Sequence, residues 1–245
     1  MPLERFFIEQ PPEGATVQLA REQAHHLRHV RRVKVGDEIV LFDGSGTDYR
    51  ARVKAFGRAG VTVDIEEARP TDREPDVAVT LAVSVVKQPG MDRLVDSCTQ
   101  LGVRRLVPMR TERSVVTPGR GRQARWRRIA IEACKQCGRS IVPQVDDVCT
   151  FAAVLDRVKD HDMAVIASMR ADARPLSAAI PSPCRSVLCL IGPEGGFTDE
   201  EEDTAVEAGC VPVCLAKSIL RTETAAAAIL AVLLQVPSLA PKAIS

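Results

Sequence analysis

SVLCLIGPEGGFTDEEEDTAVEAG, residues 186–209, is the stretch whose reading decides the fold. Ser186 to Ile191 is an almost unbroken apolar run, the pattern of a strand buried on both faces. Gly192-Pro193-Glu194-Gly195-Gly196 then makes a tight loop, because its glycines tolerate positive φ and let a ligand approach the backbone. Thr198-Asp199-Glu200-Glu201 has the spacing of a capping box, so a helix opens there and Gly209 ends it. Strand, tight loop and helix in that order are a unit of a mainly parallel α/β sheet. In such sheets ligands bind at the carboxyl ends of the strands. No Gly-Lys-Ser/Thr follows, and the glycines do not fall as G-x-G-x-x-G, which excludes both common phosphate-binding loops. Seven acids and no base lie between Leu190 and Cys210. Acids in a first helical turn repel phosphate from the helix N-terminus, so a neutral or cationic ligand fits better than a phosphate-rich one.

Outward from this unit the alternation continues. Val211 to Leu215 reads as the next strand. Lys217 to Ala225 then leads into a helix that Thr222 or Thr224 can cap and that stops before Pro237. Two adjacent loops, each opening a helix, predict a cleft. Val77–Val86, Val103–Met109 and Ala164–Ala167 read as further strands. Met91, Leu94, Val95, Cys98 and Leu101 recur at helical spacing, and Gly102 is a natural stop. Trp126, Ile129, Ala130, Ala133 and Cys137 form a second helical stripe, which assigns Trp126 to the core. Helices are expected on both faces of the sheet.

The N-terminal part has another grammar. Glu38–Asp43 and Asp48–Phe56 read as strands joined by Gly44-Ser45-Gly46, and Val61–Glu66 alternates like a half-buried strand. With one helix over about 21–32, these predict a small β-barrel spanning residues 1–70. Residues 71–76 are polar and read as a linker, and 77–245 form the α/β domain.

Composition agrees with a globular protein: 45% hydrophobic and 27% charged residues. No apolar run approaches the roughly 18–20 residues that span a bilayer. The N-terminus lacks the order of a signal peptide, so a cytoplasmic location without membrane attachment is expected. Eight cysteines then read as reduced thiols. Cys134-x-x-Cys137 lacks the second pair that structural zinc wants, and no metal is expected. Net charge is only +1, yet it is uneven: Arg104–Arg139 holds eleven basic residues against Glu112 and Glu132. His25 to Lys34 is a second basic cluster without acids. Such patches fit a polyanionic partner. Aromatic residues at 3% argue against a base-stacking platform.

Residues 191–201, IGPEGGFTDEE, and 220–225, LRTETA, resemble the SPOUT superfamily, specifically the 16S rRNA uracil-N3 methyltransferases called RsmE. Arg5-Phe6-Phe7, His25-His26, Val30-Arg31-Arg32, Gly36-Asp37, Thr111-Glu112-Arg113-Ser114 and Ala133 to Arg139 fit the same pattern. So does Thr99 to Val103, with Gln100 where the family has Glu; Ala216 stands where a Gly is expected. The resemblance covers nearly the whole chain. It implies an N-terminal PUA-like RNA-binding barrel, a C-terminal SPOUT α/β domain with a trefoil knot, and a homodimer. It also implies S-adenosylmethionine, which carries a sulfonium and no phosphate, as cofactor. The implied reaction is methylation of N3 of a uridine in the decoding region of 16S rRNA, with that rRNA or the small subunit as partner. A non-catalytic rRNA-binding assembly factor is the alternative from another class, and the LRTETA loop speaks against it. A SPOUT enzyme acting on tRNA or a ribose 2′-hydroxyl is the other, and the N-terminal match speaks against that.

By the same resemblance three loops hold the cofactor: Ala167 and Ser168 with Met169; Leu190 to Gly196, comprising Leu190, Ile191, Gly192, Pro193, Glu194, Gly195 and Gly196; and Leu215, Ser218, Ile219, Leu220, Thr222, Thr224 and Ala225. Arg221 is the expected stabiliser of the developing uracil anion, since its guanidinium stays charged. Glu223 is a candidate base, although an ordinary carboxylate is too weak for that task, which favours orientation. Arg5, Arg28, Arg31 and Arg32 are expected on RNA phosphates, with Arg113, Arg125, Arg128 and Arg139 extending that surface. The three histidines of the His25–Lys34 cluster are expected to pack in the barrel.

Overall fold

A computed structural model describes residues 3–21, 27, 33–116, 121–181 and 183–235. The chain divides into two compact units, Met1–Glu74 with Ile131–Val142, and Pro75–Ala130 with Pro143–Ser245.

In the first unit, five strands pair in the order β1-β3-β4-β5-β2. They are β1 (Glu4–Phe7), β2 (Thr16–Ala20), β3 (Glu38–Phe42), β4 (Thr47–Gly57) and β5 (Gly60–Pro70). Only β1 and β3 run parallel. The Gly44-Ser45-Gly46 connection is braced by Asp43, whose carboxylate accepts from the Ser45 amide and hydroxyl. β5 continues past Glu66 because Arg69 and Pro70 pair with Asp48 and Thr47. Alternation along the strands splits the apolar residues between two faces. Phe6, Ile39, Leu41, Val53, Val61 and Val63 enter one cluster. Phe7 and Phe42 pack on the other with Ile131 and Cys134. Most of the 21–32 helix expected from sequence, with its three histidines, lies outside the described residues.

The second unit holds an eight-stranded sheet in the order β11-β13-β10-β12-β6-β7-β8, with β9 also on β7. Its strands are β6 (Ala78–Ser84), β7 (Arg105–Arg110), β8 (Gln144–Val145), β9 (Cys149–Thr150), β10 (Met163–Ala167), β11 (Arg174–Pro175), β12 (Ser186–Ile191) and β13 (Val211–Cys214). Every pairing among these described strands is parallel. The helices are α1 (Gly90–Gln100), α2 (Arg122–Cys137, whose last turns count with the first unit), α3 (Phe151–Leu155), α4 (Leu176–Ala179), α5 (Asp199–Glu207) and α6 (Thr222–Leu233). The α/β class with a parallel sheet therefore stands as expected. Ala82, Val107, Met109, Ala164, Ile166, Leu188 and Leu190 share one face with Val154 of α3 and Ala205 of α5. The alternate residues of these strands face the opposite side, where α6 packs on β6, β12 and α1. Trp126 is fully buried, as its helical stripe implied.

α1 ends in a Schellman pair: Val103 N donates to Cys98 O and Gly102 N to Thr99 O. Gly102 has φ +85°, and a Cβ there would fall 2.3 Å from Pro75. The capping box of α5 is formed, with Thr198 and Glu201 exchanging side-chain-to-backbone bonds. Among the described residues no helix is long and apolar enough to cross a membrane.

Candidate cofactor and RNA site

β10 lies between β12 and β13, so the loops leaving their carboxyl ends are neighbours in space. They line a cleft of about 110 Å³. Of the residues expected there, Ala167, Ser168, Ile191, Gly192, Pro193, Glu194, Gly196, Leu215, Ser218, Ile219, Leu220, Thr222 and Ala225 line it, with Met169, Val213 and Ala216. Leu190 does not; it points into the cluster under α3 and α5. Gly195 and Thr224 are also off the lining. Val213 escaped the sequence reading because it belongs to a strand, although it directly precedes a binding loop.

Local chemistry explains the cleft's shape. Gly192 is crowded: a Cβ would sit 3.1 Å from the Gly196 carbonyl carbon and 3.2 Å from the Phe197 ring, so either neighbour would have to give way. Gly196 takes φ +69° and closes a turn by donating its N–H to Pro193 O. Thr222, almost fully buried, donates its hydroxyl to Gly192 O at 3.0 Å. The expectation that Thr222 or Thr224 caps α6 is thereby overturned. Arg221 occupies the N-cap without a side-chain bond, and the Thr222 hydroxyl is spent on the neighbouring loop.

Ser168 donates to Glu202 Oε2 at 2.6 Å and accepts from Arg170 N at 3.0 Å. Burial pushes the Glu202 carboxyl up, against the Ser168 bond and the nearby Arg170 charge. Glu194 is the one ionisable side chain on the lining, and it is exposed. The walls are otherwise apolar side chains, hydroxyls and backbone. Such a surface can hold a flat heterocycle and a positive charge, and it offers no cation to a phosphate.

The two residues expected to do chemistry stand outside the lining. Arg221 is exposed between the lining residues Leu220 and Thr222. Glu223 turns to α1, where Arg93 Nη2 donates to it at 3.3 Å.

The arginines expected on RNA separate into groups. Arg5 is turned inward: its guanidinium donates to both Asp48 oxygens, to Ser140 Oγ and to Arg139 O, and lies 5.0 Å from the Phe42 ring centre. Arg139 is buried and donates to Glu74 Oε1 at 3.0 Å. Both are corrected to internal structural ties, since freeing either would strand a carboxylate. Arg113 donates to the carbonyls of Gly195 and Phe197 in the second loop. Arg125 pairs with Asp92 at 2.7 Å. Arg128 is exposed on α2. Arg28, Arg31 and Arg32 lie outside the described residues.

Comparison with known proteins gives this geometry a family. A family described as RNA methyltransferase domain matches residues 73–234, and one described as RNA methyltransferase PUA domain matches residues 19–66. The ribosomal RNA small subunit methyltransferase E of Bacillus subtilis is 31% identical, over 91% of this chain and 93% of that protein. Its namesake in Synechocystis sp. is 34% identical, over 86% and 70%. The crystal structure of the enzyme of that name from Neisseria gonorrhoeae, bound to S-adenosyl methionine, is 34% identical. That structure superposes with a TM-score of 0.87, covering 94% of this chain and 96% of its own. With both domains matched and the relatives covered along most of their length, the chain belongs to the RNA methyltransferase family of the ribosomal RNA small subunit methyltransferases E.

Proposed function

We propose that this protein methylates N3 of one uridine in the decoding region of 16S rRNA, with S-adenosylmethionine as methyl donor. The carrying observation is the cleft at the ends of β10, β12 and β13, whose lining has apolar walls and a single charge, the carboxylate of Glu194. That surface suits a cofactor with an adenine ring, a sulfonium and no phosphate. Ala167, Ser168, Gly192, Pro193, Glu194, Gly196, Leu215, Ser218, Ile219, Leu220, Thr222 and Ala225 would hold it, largely through backbone.

When bound, S-adenosylmethionine supplies an electrophilic methyl group for in-line displacement. The chain's own residues orient and desolvate. Thr222 fixes the Gly192 carbonyl, and the apolar walls keep water from the reacting centre. N3 of uracil holds a proton at neutral pH, so its removal leaves an anion spread onto the ring oxygens. Arg221, at the start of α6, is the cation for that anion. Glu223 is engaged with Arg93 and orients the first turn of α6 rather than taking the proton, which passes to water.

The same reading puts RNA on the exposed Arg125 and Arg128 of α2 and, from the sequence, on Arg28, Arg31 and Arg32 of the His25–Lys34 cluster. It also makes the protein a cytoplasmic homodimer. Met169 and Ile219 support the dimer, since both line the cleft yet are 59% and 81% exposed, apolar surface that a second copy would cover. Residues 215–221 leave β13 and deliver α6 onto β12 and β6, beyond β10. That path supports the trefoil knot. Mass spectrometry of 16S rRNA from cells lacking the protein tests the proposal. Loss of one N3-methyluridine, restored by the wild-type gene, is expected; an unchanged methylation pattern overturns it.

A further inference from the structure

We infer that Arg113 is a positioning residue for the cofactor loop, holding residues 192–197 in the conformation that receives S-adenosylmethionine. The inference rests on the reading of the cleft given above.

Gly192-Pro193-Glu194-Gly195-Gly196 has three glycines in five residues. Such a segment loses much backbone freedom when it is ordered, and a ligand that must order it binds more weakly. Something has to pin it beforehand. Thr222 holds the entry to the loop through Gly192 O. The exit is held by Arg113, whose Nη1 donates to Gly195 O at 2.9 Å and Phe197 O at 2.8 Å. The stem of Arg113 also lies along the loop: a Cβ on Gly195 would stand 3.6 Å from Arg113 Cδ.

The base of this clamp is itself hydrogen-bonded. Thr111 bonds through its hydroxyl to Ser84 Oγ at 3.2 Å, in the last residue of β6. The Thr111 amide donates to Ser114 Oγ at 2.9 Å. Glu201 adds a second tie, since one carboxylate oxygen accepts from Glu112 N at 2.9 Å and the other from Thr198 N at 3.0 Å. The Thr111–Ser114 turn and the glycine loop, read as separate motifs in the sequence, are one hydrogen-bonded assembly.

A guanidinium would ordinarily seek a carboxylate or a phosphate, and here Nη1 is committed to two backbone carbonyls beside the cleft. Arg113 does not line the cleft, so it acts on the cofactor through the loop.

Calorimetry and steady-state kinetics on the full-length protein test this. Wild-type protein should bind S-adenosylmethionine. Arg113→Ala should raise the cofactor Kd and KM about tenfold. Its kcat at saturating cofactor and its Kd for a 16S rRNA fragment should stay within about twofold of wild type. A general loss of structure would instead lower kcat and leave KM unchanged, and a phosphate-contact role would raise only the RNA Kd; either result overturns the inference. Arg113→Lys keeps the charge and most of the stem, but its ammonium ends one atom short of the Nη1 that makes both bonds. Should the alanine variant fail to fold, a cofactor Kd raised threefold or more in Arg113→Lys supports the inference, and a smaller change overturns it. Failure of the wild type itself to bind the cofactor overturns the functional reading first.

Discussion

Arg5 carries its charge into a place where only 9% of the side chain meets solvent, and Asp48 beside it is 16% exposed. Burial pushes the Asp48 carboxyl up, but the hydrogen bonds from Arg5 and Ser140 and the charge of Arg5 outweigh it, so the group titrates below its ordinary 3.8. Removing one member of a buried pair leaves the other uncompensated. Arg5→Ala should therefore cost about 3–5 kcal/mol, read from urea unfolding at neutral pH. The sign with pH follows from the lowered value. The pair's contribution is complete above the unfolded-state value and is lost as pH falls through the folded one. The gap between wild type and Arg5→Ala should close in acid below that window, and a gap independent of pH would show that Arg5 acts by packing alone. Arg221 has the opposite setting, exposed and off the cleft lining. Arg221→Ala should lower kcat by about 100-fold or more, the range seen for loss of one oxyanion donor, with the calorimetric affinity for S-adenosylmethionine unchanged. A variant that turns over like wild type would remove Arg221 from the chemistry.

Elements of this fold are as legible as they are self-sufficient. β12 was readable from Ser186 to Ile191 because consecutive apolar residues need no partner to declare a buried strand. α1 was readable from its stripe and from Gly102. A Gly102→Ala substitution tests that reading, since φ +85° is strained for alanine and the new Cβ would meet Pro75. The strain alone costs roughly 1–2 kcal/mol, so the urea midpoint should fall by at least that equivalent; a wild-type midpoint would mean that the turn relaxes freely. By contrast β8, β9 and β11 have two residues each and no periodicity of their own. They exist because β7 and β13 offer unpaired backbone groups beside them. The site divides likewise. Its loops were legible from glycine and capping patterns, which are local. The directions of Arg5, Arg113, Arg139 and Glu223 were not, because their partners Asp48, Gly195, Glu74 and Arg93 lie 43 to 130 residues away in sequence. A charge in a sequence does not reveal which carboxylate or carbonyl folding will bring to it.

At the scale of the molecule the net charge is +1, so no global field draws RNA to this protein. Its affinity for RNA has to come from particular arginines that no carboxylate has already neutralised. Eleven basic residues between Arg104 and Arg139 are a poor guide to that number. Arg139 is buried on Glu74, Arg113 is committed to carbonyls, Arg105 pairs with Asp146, and Arg125 pairs with Asp92. Arg128 is exposed on α2 and has no ion pair among the described residues. Each phosphate contact contributes roughly 0.7–0.9 to the slope of log K against log salt. Arg128→Ala should therefore flatten the salt dependence of binding to a 16S rRNA fragment by about that amount. Arg125→Ala should flatten it less, because Asp92 already answers part of its charge. Binding curves between about 50 and 200 mM salt measure both slopes. Equal slopes in Arg128→Ala and wild type would take α2 out of the RNA surface, and a larger effect at Arg125 would mean that the RNA displaces Asp92 from it.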